Sequence, residues 1–231
     1  EGVIGNFMAA KFNNQGNLAG LIPYIDEGLK WKPSCRVEGA CCSGGLALVT
    51  GIKSVLAETA DVVLTLGVEV QNTVKAVYGA DILAGAGWSK ERKDGHAYFF
   101  PGKFSDRAGE YFKKFGLERT RKALARWYRN AIENARLVPT AQEFHNTQED
   151  LEAVALAKPN PKSFVDNLNV FDCSKVSDGA ASIAILSEEG LKKAGIDKKD
   201  AIEVVGFGQV EADLTKPPAD LAKLDTTEEA V

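Results

Sequence analysis

The feature that most constrains this chain is a strand, a tight turn, a helix and a second strand that follow one another from Arg36 to Glu69. Arg36-Val37-Glu38-Gly39-Ala40 reads as a short strand and Cys41-Cys42-Ser43-Gly44-Gly45 as a glycine-bearing turn. Leu46 to Ala57 has the small and aliphatic spacing of a buried helix. Beyond Glu58-Thr59-Ala60, the β-branched run Asp61 to Glu69 is too apolar to alternate, as expected of a parallel strand covered on both faces. Strand, helix and strand at this spacing make a βαβ crossover, which is right-handed in nearly all proteins. The fold class is therefore α/β. With 231 residues, 45% of them hydrophobic, the chain can bury a substantial core.

The chain opens on an apolar segment, Val3 to Met8, that reads like the middle of a domain, so a fragment of a longer protein is expected. From Gly79 to Pro161 the pattern changes to a long excursion. The stretch from Trp88 to Phe144 holds 11 of the 19 aromatic residues. Its strongest helix is Leu117 to Arg136, where Thr120, Leu124, Trp127, Tyr128, Ala131 and Ala135 recur at helical spacing beside Arg119, Arg121, Lys122, Arg126 and Arg129. Thr147-Gln148-Glu149-Asp150 resembles a capping box before a helix over Leu151 to Ala157, which Pro159 and Pro161 stop. The sheet pattern resumes with a strand at Ala180 to Leu186, a Ser187-capped helix from Glu188 to Ala194, and a strand at Ala201 to Val210. After Glu211 the sequence turns acidic and loop-like.

Charge excludes some partners. Twenty-eight Lys plus Arg against 32 Asp plus Glu leaves a net charge of −4, which argues against nucleic acid. From Trp88 to Asp150 there are 13 basic and 9 acidic residues, whereas Glu211 to Val231 holds 6 acidic and 2 basic. No apolar run approaches the roughly 18 residues that cross a bilayer, so no membrane partner and a cytoplasmic location are expected. Of the four cysteines, Cys41 and Cys42 are adjacent, a spacing that suits neither a routine disulfide nor a metal knuckle. Reduced thiols and no metal site are the expectation.

Cys41 is the first candidate for chemistry. It follows a strand and precedes a helix, where free helical N–H groups and the positive end of the dipole favour a thiolate and the glycines allow close approach. On local pattern alone, a cysteine before a small-residue helix is more often a buried packing residue.

Val37-Glu38-Gly39-Ala40-Cys41-Cys42-Ser43-Gly44-Gly45 resembles the nucleophile segment of the thiolase superfamily, V-[DE]-x-A-C-A-S-G-G, with Cys42 in place of the usual small residue. Asp61 to Glu69 is similar to the family's D-x-V-[LV]-x-G-G-x-E strand, and Asp172 to Ala181 to its N-A-S-G-[IV]-N-D-G-A-A segment. The three blocks stand in the family's order, and the likeness is nearest to the sterol-carrier-protein type and its archaeal and bacterial relatives.

The resemblance implies a layered αβαβα thiolase fold of two similar βαβαβ halves. Residues 1–78 and 171–196 would form the N-terminal half without its first strand and helix. Residues 79–170 would be an inserted loop domain covering coenzyme A, and 197–231 the start of the C-terminal half. It implies that Cys41 takes the acyl group of an acyl-CoA or β-ketoacyl-CoA, with coenzyme A as co-substrate and no covalently bound cofactor. Cys42 would be a packing residue. Ser174 would lie beside the pantetheine arm, although Asp172 and Lys175 replace the usual Asn and Gly. Lys103, Arg107, Arg121 and Arg126 are candidates for phosphates, although a basic helical stripe is often only a solvated face. His96 and His145 lie outside any segment resembling the family's histidines. The family's acid–base residues belong to the second half, so a missing half or second subunit would have to supply them. A homodimer is expected. Two alternatives remain: a retro-aldol lyase of CoA-linked side chains working with an OB-fold and zinc-ribbon partner, and a non-catalytic acyl-CoA-binding subunit.

Overall fold

The computed structural model describes residues 1–91 and 98–231. They fall into two compact units. The first comprises Glu1–Lys75, Asp178–Val210 and Ala230; the second comprises Ala76–Ser177, Glu211–Glu229 and Val231.

The first unit is built on a mixed sheet in the order β2-β1-β3-β4. Its strands are β1 (Gly2–Gly5), β2 (Ser34–Val37), β3 (Val62–Glu69) and β4 (Gly179–Leu186). β1 runs parallel to both β2 and β3, and β4 is antiparallel to β3. The apolar opening is thus the central strand, buried at every residue. Alternation along it supplies two cores. Val3 packs with Ala47 and Val63 under helix α2 (Ser43–Leu56), whereas Ile4 packs with Ala9, Leu18 and Ile22 on the opposite face. The short α1 (Ala9–Phe12) and a 3-10 turn over Leu18–Tyr24 cover that second face.

α2 crosses the sheet closely because its path is lined with glycines. A Cβ on Gly51 would stand 2.8 Å from the Thr65 methyl, and one on Gly5 would stand 2.2 Å from the Ser43 carbonyl oxygen. The β2–α2–β3 crossover predicted from sequence is present, with different limits. β2 ends at Val37, because the Glu38 carboxylate accepts the Ala40 amide (2.5 Å) and Ala40 turns into the left-handed region (φ 48°). The helix includes Ser43, Gly44 and Gly45 instead of beginning at Leu46.

The expected strand over Ala201–Val210 does not form. Its residues are exposed, Ile202 at 96% and Val205 at 93%, and they enter no strand ladder. A β-prone run becomes a strand only where another strand accepts and donates its backbone hydrogen bonds. Helix α7 (Glu188–Ala194) does form as expected, with the Ser187 hydroxyl capping Gly190 and Gly195 closing it in the left-handed region.

The second unit is helical. It contains α3 (Ala76–Leu83), α4 (Phe99–Phe115), α5 (Leu117–Ala135) and α6 (Leu151–Ala155). A terminal turn, α8, spans Asp225–Ala230. Gly116, at φ 90°, separates α4 from α5. Sequence reading assigns no helix over α4; Pro101 lies in its first turn, where a proline loses no helical hydrogen bond. On α5 the buried residues are Thr120, Arg121, Ala125 and Ile132. Trp127 is 76% exposed and Ala131 is exposed, so the inward stripe is rotated from the expected one. Asp150, not Thr147, caps α6, accepting from the Ala153 amide at 2.9 Å. No described helix is long and apolar enough to cross a membrane.

Candidate functional site

The carboxyl ends of the three parallel strands are laced together in the first unit. Arg36 donates through Nη2 to the carbonyls of Asn6 (3.0 Å) and Phe7 (2.6 Å). Asn6, 2% exposed, donates to Val68 O and accepts from the Ala9 amide. The Glu69 carboxylate accepts from the Phe7 and Met8 amides at 2.7 and 3.1 Å. Ligands of open α/β sheets bind outside the carboxyl ends of parallel strands, and the turn that leaves β2 at this edge carries Cys41.

That turn is braced from inside by Ser43. Its buried hydroxyl accepts from the Gly39 amide (3.1 Å) and donates to the Ala40 carbonyl (2.7 Å). Two further bonds, Cys42 N to Gly39 O and Ser43 N to Ala40 O, close it. An alanine in the left-handed region costs about 1–2 kcal/mol, so the turn holds an unfavourable backbone immediately before Cys41. Cys41 and Cys42 are both exposed free thiols. The backbone amides of Cys41, Gly44 and Gly45 donate to no described residue, which leaves N–H groups at the helix start for an anion or developing oxyanion. Sequence reading missed the bracing residues Asn6, Arg36, Ser43 and Glu69; the serine at the helix start was the available signal.

The remaining candidates lie in the second unit. On α4, Lys103 sits 3.3 Å from Glu91 and 5.7 Å from the Phe99 ring centroid. Arg107 donates to the carbonyls of Leu221 (3.0 Å) and Lys223 (2.7 Å). Arg121 is 9% exposed and its guanidinium is committed internally, to Asp172 at 2.6 Å and to the Ala155 carbonyl. A fork so engaged is a packing element rather than a waiting phosphate ligand, and this corrects the expectation for Arg121. Arg126 is exposed and makes no ion pair or hydrogen bond to a described residue. Ser174 is exposed. His145 is exposed against the Phe144 ring, and His96 lies outside the described residues. Burial, reinforced by the Asp172 charge, pushes the Cys173 thiol above its ordinary pKa; burial, with Glu1, does the same to Cys35. Among the described residues no cluster of three or more His, Cys, Asp or Glu could hold a metal ion.

An α/β half-sheet that presents a thiol at the start of its crossover helix, with the three sequence blocks in order, is the half-domain arrangement of the thiolase fold. No family model matches the chain. An acetyl-CoA acetyltransferase of Methanocaldococcus jannaschii is 34% identical over 210 residues, covering 88% of this chain and 49% of that protein. One of Methanothermobacter thermautotrophicus is 33% identical over 182 residues, covering 79% of this chain and 44% of that protein. The benzoylsuccinyl-CoA thiolase subunit BbsB of Thauera aromatica is 28% identical over 198 residues, 85% of this chain and 48% of that protein. The chain belongs to the thiolase superfamily. Within it, the chain is similar to archaeal acetyl-CoA acetyltransferases and spans about half the length of the curated relatives it matches.

Proposed function

We propose that this chain carries the nucleophile-bearing half of a thiolase-type acyltransferase that cleaves β-ketoacyl-CoA with coenzyme A or runs the reverse Claisen condensation. The observation that carries the reading is Cys41, an exposed thiol at the carboxyl edge of parallel strands, beside backbone N–H groups with no acceptor among the described residues.

In the first half-reaction the Cys41 thiolate attacks the thioester or ketone carbonyl carbon. The electron pair moves to the carbonyl oxygen, which the Cys41 amide and the helix start stabilise. Collapse breaks the bond to the leaving group, coenzyme A thiolate or the acetyl-CoA enolate. That group takes up the proton originally on Cys41, carried by a base. In the second half-reaction a thiol or enolate attacks the acyl-cysteine and releases Cys41. The resemblance implies a histidine base in the second half of the fold, and the first unit holds neither His96 nor His145; on this reading the base comes from outside that unit. Residues 79–170 act as the inserted domain over coenzyme A, with Lys103 and Arg126 toward its phosphates and Ser174 toward its pantetheine arm. The assembly is a cytoplasmic homodimer.

The test is mass spectrometry of the full-length protein after exposure to acetyl-CoA. Acetyl label on the Cys41 peptide, lost in Cys41→Ala, is expected. Label on another cysteine, or undiminished turnover in Cys41→Ala, overturns the reading. Release of a free ketone or aldehyde without consumption of coenzyme A replaces it with the retro-aldol lyase.

A further inference from the structure

Acyl transfer leaves Cys42 unused. It stands where the family pattern has a small residue and is expected from sequence to pack, yet it is exposed, as is Cys41. Both thiols are free, and neither sulfur hydrogen-bonds to a described residue. Two backbone bonds, Cys42 N to Gly39 O at 2.9 Å and Ser43 N to Ala40 O at 3.1 Å, fold residues 39–43 into consecutive tight turns. Helix α2 starts at Ser43, and Leu46 N bonds Cys42 O at 2.9 Å. With the Ser43 hydroxyl bracing the bend from within, the first unit holds two adjacent, accessible thiols on a fixed backbone.

The other two cysteines are of a different kind. Cys35, on β2, packs against the core of Val3, Ala47 and Val63, and Cys173 is partly buried. Burial raises both thiols above their ordinary pKa. The thiolate is the form that reacts and ligates, so neither competes well with the exposed pair for a thiophilic reagent.

Cys41 and Cys42 are poorly spaced to bond each other directly. Across a trans peptide their Cα atoms lie about 3.8 Å apart, short of the roughly 4.4–6.8 Å of a relaxed disulfide. An atom inserted between the sulfurs lengthens the bridge and relieves that strain. Soft thiolates select soft acceptors, and once one sulfur is bound the tethered second thiol closes the chelate as an intramolecular step.

We propose that Cys41 and Cys42 form a vicinal-dithiol site that chelates a trivalent arsenical, one sulfur on each side of the arsenic. With an arsenoxide the step balances: two S–H bonds break, two As–S bonds form, and the arsenic-bound oxygen leaves as water with both thiol protons. Arsenic stays trivalent, so neither an oxidant nor a reductant is consumed. The site lies wholly within the first unit and does not depend on acyl transfer.

The test adds phenylarsine oxide to the reduced, native full-length protein and follows intact mass and peptide mapping. One equivalent should join the peptide holding Cys41 and Cys42 with loss of one water, resist excess 2-mercaptoethanol, and leave to 2,3-dimercaptopropanol. Cys41→Ser and Cys42→Ser should each weaken retention by on the order of 10²-fold, so that the monothiol strips the arsenical. Circular dichroism checks the fold of both variants, and Cys42→Ala supplies a second substitution at the same exposed position. Retention by Cys42→Ser or Cys42→Ala, an adduct of the unmodified protein that the monothiol removes, arsenic on Cys35 or Cys173, or no binding overturns the proposal. A retained arsenical in a protein whose Cys41 takes no label from acetyl-CoA overturns the acyl-transfer reading alone.

Discussion

At Gly5 the central strand passes beneath the first turn of α2 with no room for a side chain. A Cβ there would lie 2.2 Å from the Ser43 carbonyl oxygen, 2.6 Å from its carbon and 2.9 Å from the Gly44 nitrogen. All three are backbone atoms, so no rotamer change can relieve the contact. Ordinary van der Waals contact begins near 3.4 Å, and Gly5→Ala therefore forces strand and helix apart by about 1 Å. β1 is held by ladders on both sides, so the helix start is the part that moves, and with it Cys41, two residues before Ser43. Overpacking of this kind costs typically 1–3 kcal/mol. A value of about 2 kcal/mol lowers the melting temperature by roughly 4–8 °C for a protein of this size. The chemical loss is larger, because about 1 Å of misplacement at a reacting group can cost on the order of 10²-fold in rate. Calorimetry and the rate of Cys41 acetylation by acetyl-CoA measure the two effects, with Gly16→Ala as control, since a Cβ at Gly16 meets nothing within 4 Å. Melting within about 1 °C of the parent, together with acetylation within about twofold, in Gly5→Ala would refute the argument that strand–helix contact sets the position of the nucleophile.

Two further outcomes follow from the same edge of the sheet. Ala40→Gly removes the left-handed alanine's penalty of about 1–2 kcal/mol and returns about 0.5–1 kcal/mol as glycine backbone entropy. A modest rise in melting temperature is expected and a fall would contradict it; Ala40→Val should melt lower than the parent. Asp178 is held below its ordinary pKa chiefly by the Gln71 amide and then the Asn72 amide, at 2.7 and 3.0 Å. A depressed carboxyl contributes stability that is full above the ordinary aspartate value, about 3.9, and is lost as pH falls through the lower folded value. The Gln71 and Asn72 amide resonances should therefore titrate together below pH about 4, and Asp178→Asn should abolish that step. Amides that stay unmoved to lower pH, or a step that persists in the variant, would count against the contact.

The parts legible in the sequence are those whose partners are near in the chain. The β2–α2–β3 crossover is written in contiguous periodicity, and Cys41 could be placed because strand, turn and helix around it are local. The antiparallel direction of β4 and the failure of Ala201–Val210 to pair depend on which strand lies alongside, and a strand's own residues carry little of that. Arg121 shows the same limit at a single side chain. Within the basic run from Arg119 to Arg129, nothing local separates an arginine that faces solvent from one that faces inward. Helical spacing does place Arg121 with Ala125, Tyr128 and Ile132, but an apolar-stripe reading passes over a charged residue. What makes its burial tolerable is a carboxylate 51 positions away, on a segment whose Asp172 reads as a defect when set against its family pattern. Taken together, the two anomalies explain each other: the buried arginine requires the aspartate, and the aspartate requires the arginine. A departure from a family pattern and a charge on a buried helical face are then one signal read at two places, and neither is interpretable without the other.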